Sequence, residues 1–151
     1  MSTKSPSENK KRLIIALTGA SGAIYGIRLL EVLQTLTEID THLVISKAAK
    51  RTILLETNYK VDQVEKLADQ VFQDHDIAAC VSSGSYQTTG MAVIPCSIKT
   101  LSGIANSYAD NLLVRAADVV LKEQRKLVLV LRETPLHLGH TRLMTRSIEI
   151  G

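Results

Sequence analysis

Tryptophan is absent from this 151-residue chain, and aromatic residues make up only 3% of it. Proteins that grip nucleic acid by stacking need aromatic platforms beside a basic stripe. With a net charge of only +3 and its lysines and arginines scattered along the sequence, the chain argues against that class but stays compatible with an anionic small ligand. Cysteine is scarce as well. Cys80 and Cys96 lie too far apart for a redox or zinc pair and are too few for a disulfide framework, which fits a reducing cytoplasm. No apolar run approaches the roughly 20 residues of a membrane span. The opening "MSTKSPSENKK" lacks the apolar stretch of a secretory signal. Residues 1–11 are therefore expected to be a disordered polar tail, and residues 12–151 one domain whose core draws on a 45% apolar composition.

Short apolar runs alternate with helical patterns along that domain, which is the mark of βαβ units and a parallel sheet covered on both faces. Leu13 to Leu17 reads as a buried strand, and Ile24, Ile27, Leu30 and Leu33 follow at helical spacing. "THLVIS" is a second strand and leads into a helix through about Glu56. "NYKVDQVEKLADQVFQDHD" reads as polar and partly helical, and "IAACVSSGSYQTTG" as a short strand with a glycine-rich loop. "MAVIP" is the next core strand, followed by "CSIKTLSGIA", the amphipathic helix "NLLVRAADVVLKE", the strand "KLVLVL" and the closing helix "HLGHTRLMTRSIE".

In an open parallel sheet, ligands bind outside the carboxyl ends of the strands. Here those positions hold Thr18, Gly19, Ala20 and Ser21, then Ser46 and Lys47, then Cys96 and Ser97, then Arg132 and Glu133. The turn "TGASGAIYG" suits a phosphate, because its glycines let the backbone approach a ligand at a helix start. A tight turn in which Ser21 only caps the helix explains the same residues. The spacing GxxGxxxG is not the dinucleotide GxGxxG, Ser46 stands where a nicotinamide site places a carboxylate, and the Gly-Lys-Ser/Thr ending of a P-loop is missing. Ser97 and Thr100 suit either a helix cap or a ligand. Cys96 reads as a small buried residue, since no base is identifiable near it. Arg115, Asp118 and Lys122 share a helix face, either as a solvated face with an Asp118–Lys122 pair or as a cationic wall. Arg132 and Glu133 read as a surface ion pair or as ligand-edge groups. His137 and His140 lack an evident third ligand, so no metal is assigned to them.

Taken together, "TGASGAIYGIRLL", "THLVISKAAK", "SSGSYQTTGM", "IPCSIKTLSGI", "RAADVVLKE" and "RETPLHLGH" resemble the UbiX/Pad-type flavin prenyltransferases, formerly described as aromatic acid decarboxylases. The resemblance implies a flavodoxin-like or Rossmann-like α/β fold of three layers with a mostly parallel sheet. It implies a cytoplasmic, metal-independent homo-oligomer, dodecameric in the family, that joins a dimethylallyl group from dimethylallyl phosphate to reduced FMN. The prenylated FMN serves a partner UbiD-type decarboxylase in ubiquinone synthesis or aromatic acid breakdown. By the same resemblance Gly19, Ala20, Ser21, Ser46, Ser97, Ile98, Lys99, Thr100 and Arg132 hold FMN. Ser21, Glu56, Lys122 and Glu133 surround the reacting prenyl phosphate, with Arg115 nearby. Family members continue past the equivalent of Gly151 through a further strand, a proline-rich loop and a helix that add a tyrosine and a basic residue to the phosphate site. The sequence is accordingly expected to be C-terminally truncated, with an FMN-binding module or inactive subunit as the alternative to an active enzyme.

Overall fold

A computed structural model describes residues 10–151; the expected polar tail lies outside them as far as Asn9, and Lys11 already opens the first strand. The order of elements is β1 (Lys11–Leu17), α1 (Ala23–Gln34), β2 (Ile39–Ile45), α2 (Lys47–Glu56), α3 (Val61–Glu65), β3 (Gln70–Gln73), β4 (Gly90–Cys96), α4 (Ile98–Ala105), α5 (Leu112–Lys122), β5 (Lys126–Leu131) and α6 (Leu138–Glu149). Among the described residues five strands pair in parallel, in the order β3-β2-β1-β4-β5.

Because successive strand residues point to opposite faces, the central strands feed two separate cores. Ile15, Leu17, Leu43 and Ile45 meet Ala23, Ile27 and Leu30 of α1 and Ala49 and Ile53 of α2 on one face. Ile14, Ala16, Val44, Met91 and Val93 meet Leu101 and Ile104 of α4 and Leu113, Ala117 and Val120 of α5 on the other. Burial on both sides explains why "LIIAL" and "HLVI" are nearly unbroken apolar runs. Gly26 brings α1 close to the sheet: a Cβ there would strike the carbonyl oxygen of Ile94 and lie 2.9 Å from Leu17 Cγ.

Two segments differ from the sequence reading. The polar stretch after α2 contains, besides α3, the strand β3, which pairs His42 to Ile45 with Gln70 to Gln73. As an edge strand it buries only part of one face, Phe72 being half-buried and Val71 exposed, so it carries little apolar signal. The stretch "IAACVSSGSYQTTG" holds no strand before Gly90, only a 3-10 turn at Cys80–Ser82. Arginine side chains tie that loop down instead: Arg125 donates to the carbonyls of Gly84 (2.8 Å) and Tyr86 (3.0 Å), and the Arg12 guanidinium lies 4.6 Å from the centre of the Tyr86 ring.

Candidate active site

The strand order reverses between β1 and β4, and a crevice opens beyond their carboxyl ends. Thr18 joins its two sides. Fully buried, its hydroxyl donates to Pro95 O at 2.6 Å and accepts from Ser97 N at 2.8 Å, so the loop after β1 and the loop after β4 are held as one unit.

Two helices begin at this crevice under serine caps. Ser46 accepts from Ala49 N at 3.0 Å to start α2, and Ser97 accepts from Thr100 N at 3.2 Å to start α4. The first N–H groups of each helix have no intrahelical acceptor and carry the positive end of the helix dipole. A cavity of about 1180 Å³ lies against these starts, lined by Thr18, Gly19, Ser46, Lys47 and the run from Ser97 to Thr100. Tyr108, His137 and His140 line it further out. Its size and its hydroxyl and amide donors, with Lys47 and Lys99 for charge, fit a flavin mononucleotide. Its lining also includes Asp74 and Asp110.

Beside the crevice, the turn after Gly19 is built differently from a capped helix start. The residue preceding α1 is Gly22, left-handed at φ 105°, with no side-chain cap, so Ser21 is not the helix cap. Instead the Gly22 N–H donates to Glu56 Oε2 at 2.9 Å, from the last residue of α2. That bond holds the Glu56 carboxyl below the usual carboxylate range, with further help from the Ser21 hydroxyl, the Ala23 N–H and the charge of Arg132. Ser21, Glu56 and Arg132 are thus neighbours in one chain. Arg132 follows β5 and is fixed by its own N–H to Cys96 O at 3.0 Å; it forms no ion pair with Glu133, whose Oε1 accepts from Thr134 N at 2.9 Å.

Lys122 is not brought to this group. Helix α5 runs from the carboxyl edge of the sheet back to the amino edge, where β5 begins with Lys126 opposite Gly90, and Lys122 is its last residue. There its Nζ pairs with Glu123 at 2.6 Å, beside Gly84. An 11-residue helix is roughly 16 Å long, so Lys122 of the same protomer lies far from Ser21 and Glu56. Arg115, one turn into α5, pairs with Asp118 at 2.9 Å in place of the expected Asp118–Lys122 pair.

The structure adds one residue, Asp74, that the sequence did not single out, and it places His137, His140 and Cys96. Asp74 follows the unrecognised strand β3, accepts from Leu113 N at 3.1 Å and lines the cavity. Burial pushes its carboxyl up, against the opposing pull of the Leu113 N–H. His137 and His140 stack at 3.5 Å between ring centroids and reciprocally cap α6, each Nδ1 accepting the other residue's backbone N–H. Cys96 is buried, and its thiol is pushed up to about 12 by desolvation, which makes it a packing residue.

Known proteins place this arrangement. A family profile described as Flavoprotein matches residues 1–150. The chain is 64% identical over 141 residues to flavin prenyltransferase UbiX of Escherichia coli K12, spanning 93% of this chain and 75% of that one. Among solved structures, AnUbiX (PadA1) in complex with FMN and dimethylallyl pyrophosphate superposes with a TM-score of 0.92 at 49% identity, covering 94% of this chain and 75% of that chain. The dodecameric FMN-dependent UbiX-like decarboxylase of Escherichia coli O157:H7 gives 0.91 at 53% identity, covering 92% and 76%. With 64% identity over 93% of its length and a family profile over residues 1–150, the chain belongs to the UbiX flavin prenyltransferase family.

Proposed function

We propose that this protein joins the dimethylallyl group of dimethylallyl phosphate to reduced FMN, making the prenylated flavin that UbiD-type decarboxylases use, and that it works in the cytoplasm as a homo-oligomer. The observation that carries this reading is the 64% identity to a flavin prenyltransferase over 93% of the chain. The crevice at the β1/β4 switch point supports it with a cavity roomy enough for a flavin mononucleotide.

In this reading Gly19, Ala20 and Ser21, the Ser46 cap, the run from Ser97 to Thr100 and Arg132 hold FMN, the helix starts and hydroxyls serving its polar groups. Reduced FMN supplies the electron-rich ring positions that accept the prenyl group. The protein's task is the other half of the reaction. Breaking the allylic C–O bond leaves negative charge on phosphate and positive charge on the prenyl carbons, and a positioned donor in a water-poor site is worth about 3–4 kcal/mol to such a step. Arg132 stands on the right edge of the sheet to meet the phosphate. Lys122 serves this role only from a neighbouring protomer, because its own α5 carries it to the opposite edge. Arg115, one turn into α5, stays near the carboxyl edge, where its guanidinium pairs with Asp118 at 2.9 Å. Glu56 is held ionised by the Gly22 N–H, which orients it toward Ser21 and steadies cationic charge on the prenyl carbons. Glu133 has one oxygen occupied by the Thr134 N–H, leaving Oε2 to carry a proton to the departing phosphate or away from the acceptor.

Incubating the purified protein with reduced FMN and dimethylallyl phosphate, with the diphosphate in parallel, and weighing the released flavin tests the reading. A flavin heavier by one prenyl group is expected with the monophosphate, and bound FMN that never gains mass would sink it. Glu133→Gln is expected to keep FMN and lose prenyl transfer; wild-type turnover in that variant would remove Glu133 from the mechanism.

A further inference from the structure

His137 and His140 line the cavity, the first exposed and the second half-buried, and no step of the prenyl transfer uses them. Their rings stack with centroids 3.5 Å apart. Each Nδ1 accepts the backbone N–H of the other residue, at 3.3 Å for His137 and 3.4 Å for His140. A ring nitrogen that accepts carries no proton, so both imidazoles are fixed with the proton on Nε2. The pair thus presents two N–H donors side by side, with both Nδ1 lone pairs already used. That suits an anionic oxygen ligand and does not suit a metal ion, which needs a free lone pair.

Helix α6 sets these donors beside the start of α4. The first turns of both helices line the cavity, and toward their far ends Arg146 Nε of α6 donates to Ala105 O, the last residue of α4, at 2.7 Å. The two helices therefore run side by side in the same direction, with the His137–His140 turn next to the Ser97–Thr100 turn. The charges of the cavity are divided between its ends. Asp74 holds the Leu113 N–H and Asp110 precedes the Asn111 cap, so both carboxylates stand at the start of α5. Lys47 and Lys99 lie in the first turns of α2 and α4. A dianion is repelled from the first end and drawn to the second.

We propose that His137 and His140 bind the phosphate of FMN through their Nε2–H groups, completing from α6 the site that Ser97 to Thr100 open from α4. The inference rests on the FMN reading of the preceding section and adds two side chains to it. The prenyl phosphate has the same chemistry, but its cation is Arg132, beside Glu56 and Ser21.

Asparagine separates the donor from the cap, since its Oδ1 can replace Nδ1 at the backbone N–H while nothing replaces Nε2–H. The His137→Asn/His140→Asn protein is expected to melt with the wild type yet bind FMN about tenfold or more weakly, the loss of a hydrogen bond to a charged group. Riboflavin has the same ring and chain without the phosphate, and its affinity should change by less than about twofold. Wild-type protein that fails to bind FMN would overturn the function of the preceding section and this proposal together. Where the wild type binds FMN, a double variant of equal FMN affinity, or one that loses FMN and riboflavin alike, overturns the phosphate assignment alone. The same holds if the variant keeps FMN and loses affinity for dimethylallyl phosphate. A measurement on wild-type protein decides the matter even if the variant misfolds. With FMN at ten times its Kd, diethylpyrocarbonate should modify His137 and His140 about tenfold more slowly, with exposed His75 as the internal standard. Riboflavin at the same occupancy should leave their rates near those of the free protein; equal protection by both ligands overturns the proposal.

Discussion

Replacing Thr18 by valine isolates the bond that joins the two strand ends of the crevice. Valine matches threonine closely in shape, so the change removes the hydroxyl with little loss of packing. Pro95 O keeps a partner in Thr18 N at 3.2 Å, whereas Ser97 N loses the acceptor that Thr18 Oγ1 provides at 2.8 Å. An N–H left unpaired in the interior costs about 1–3 kcal/mol. Ser97 is only half-buried, which admits some water and places the expected loss at about 1–2 kcal/mol. For a domain of this size that corresponds to a fall in Tm of about 2–8 °C. Because Ser97 also caps α4, the same variant should weaken FMN binding as the helix start loosens. Thr18→Ser keeps both hydrogen bonds and serves as the control. Differential scanning calorimetry at fixed protein concentration, with FMN titration by fluorescence, measures both effects. A Thr18→Val protein that melts with the wild type and binds FMN equally well would refute the idea that this hydroxyl organises the crevice.

Gly26→Ala should destabilise despite alanine's advantage of about 1 kcal/mol within a helix. The new methyl meets Ile94 O and Leu17, both fixed in the sheet, so a net loss of about 1–2 kcal/mol is expected in the urea midpoint. Iodoacetamide at pH 8 should modify exposed Cys80 and spare Cys96, whose thiol at about 12 is ionised in roughly one molecule in ten thousand at that pH; peptide mapping before and after denaturation reads this directly. Glu56 has a depressed pKa in the folded state, so its contribution to stability is complete above the ordinary carboxylate range and is lost as pH falls through the folded value. The Tm of wild type should therefore exceed that of Glu56→Gln at pH 7, and the two should converge in acid; a gap that widens on acidification would contradict the Gly22–Glu56 assignment.

Much of this molecule was legible residue by residue. Doubly buried strands read as apolar runs, and Ser97 before α4 reads as a cap or a ligand group, because both signals arise within a few residues of sequence; that Ser46 caps α2 came from the structure. The same locality made the motif series around Gly19, Ser97 and Arg132 specific enough to indicate the family. Strand β3 was not legible, since an edge strand that buries part of one face needs few apolar residues. Ser21 was open between cap and ligand until the fold put Gly22 in the capping position and turned its N–H toward Glu56, 34 residues away.

The sequence by itself determined the parallel α/β architecture, the polar loops at the strand ends and the residue types available to hold a flavin and a phosphate. Tertiary structure alone decided which of them meet. Thr18 reaches Ser97 across 79 residues, and Arg132 lies near Glu56, because strands distant in sequence are adjacent in the sheet. Lys122 and Arg132 are close in sequence yet stand at opposite edges, because strand β5 crosses the sheet between them.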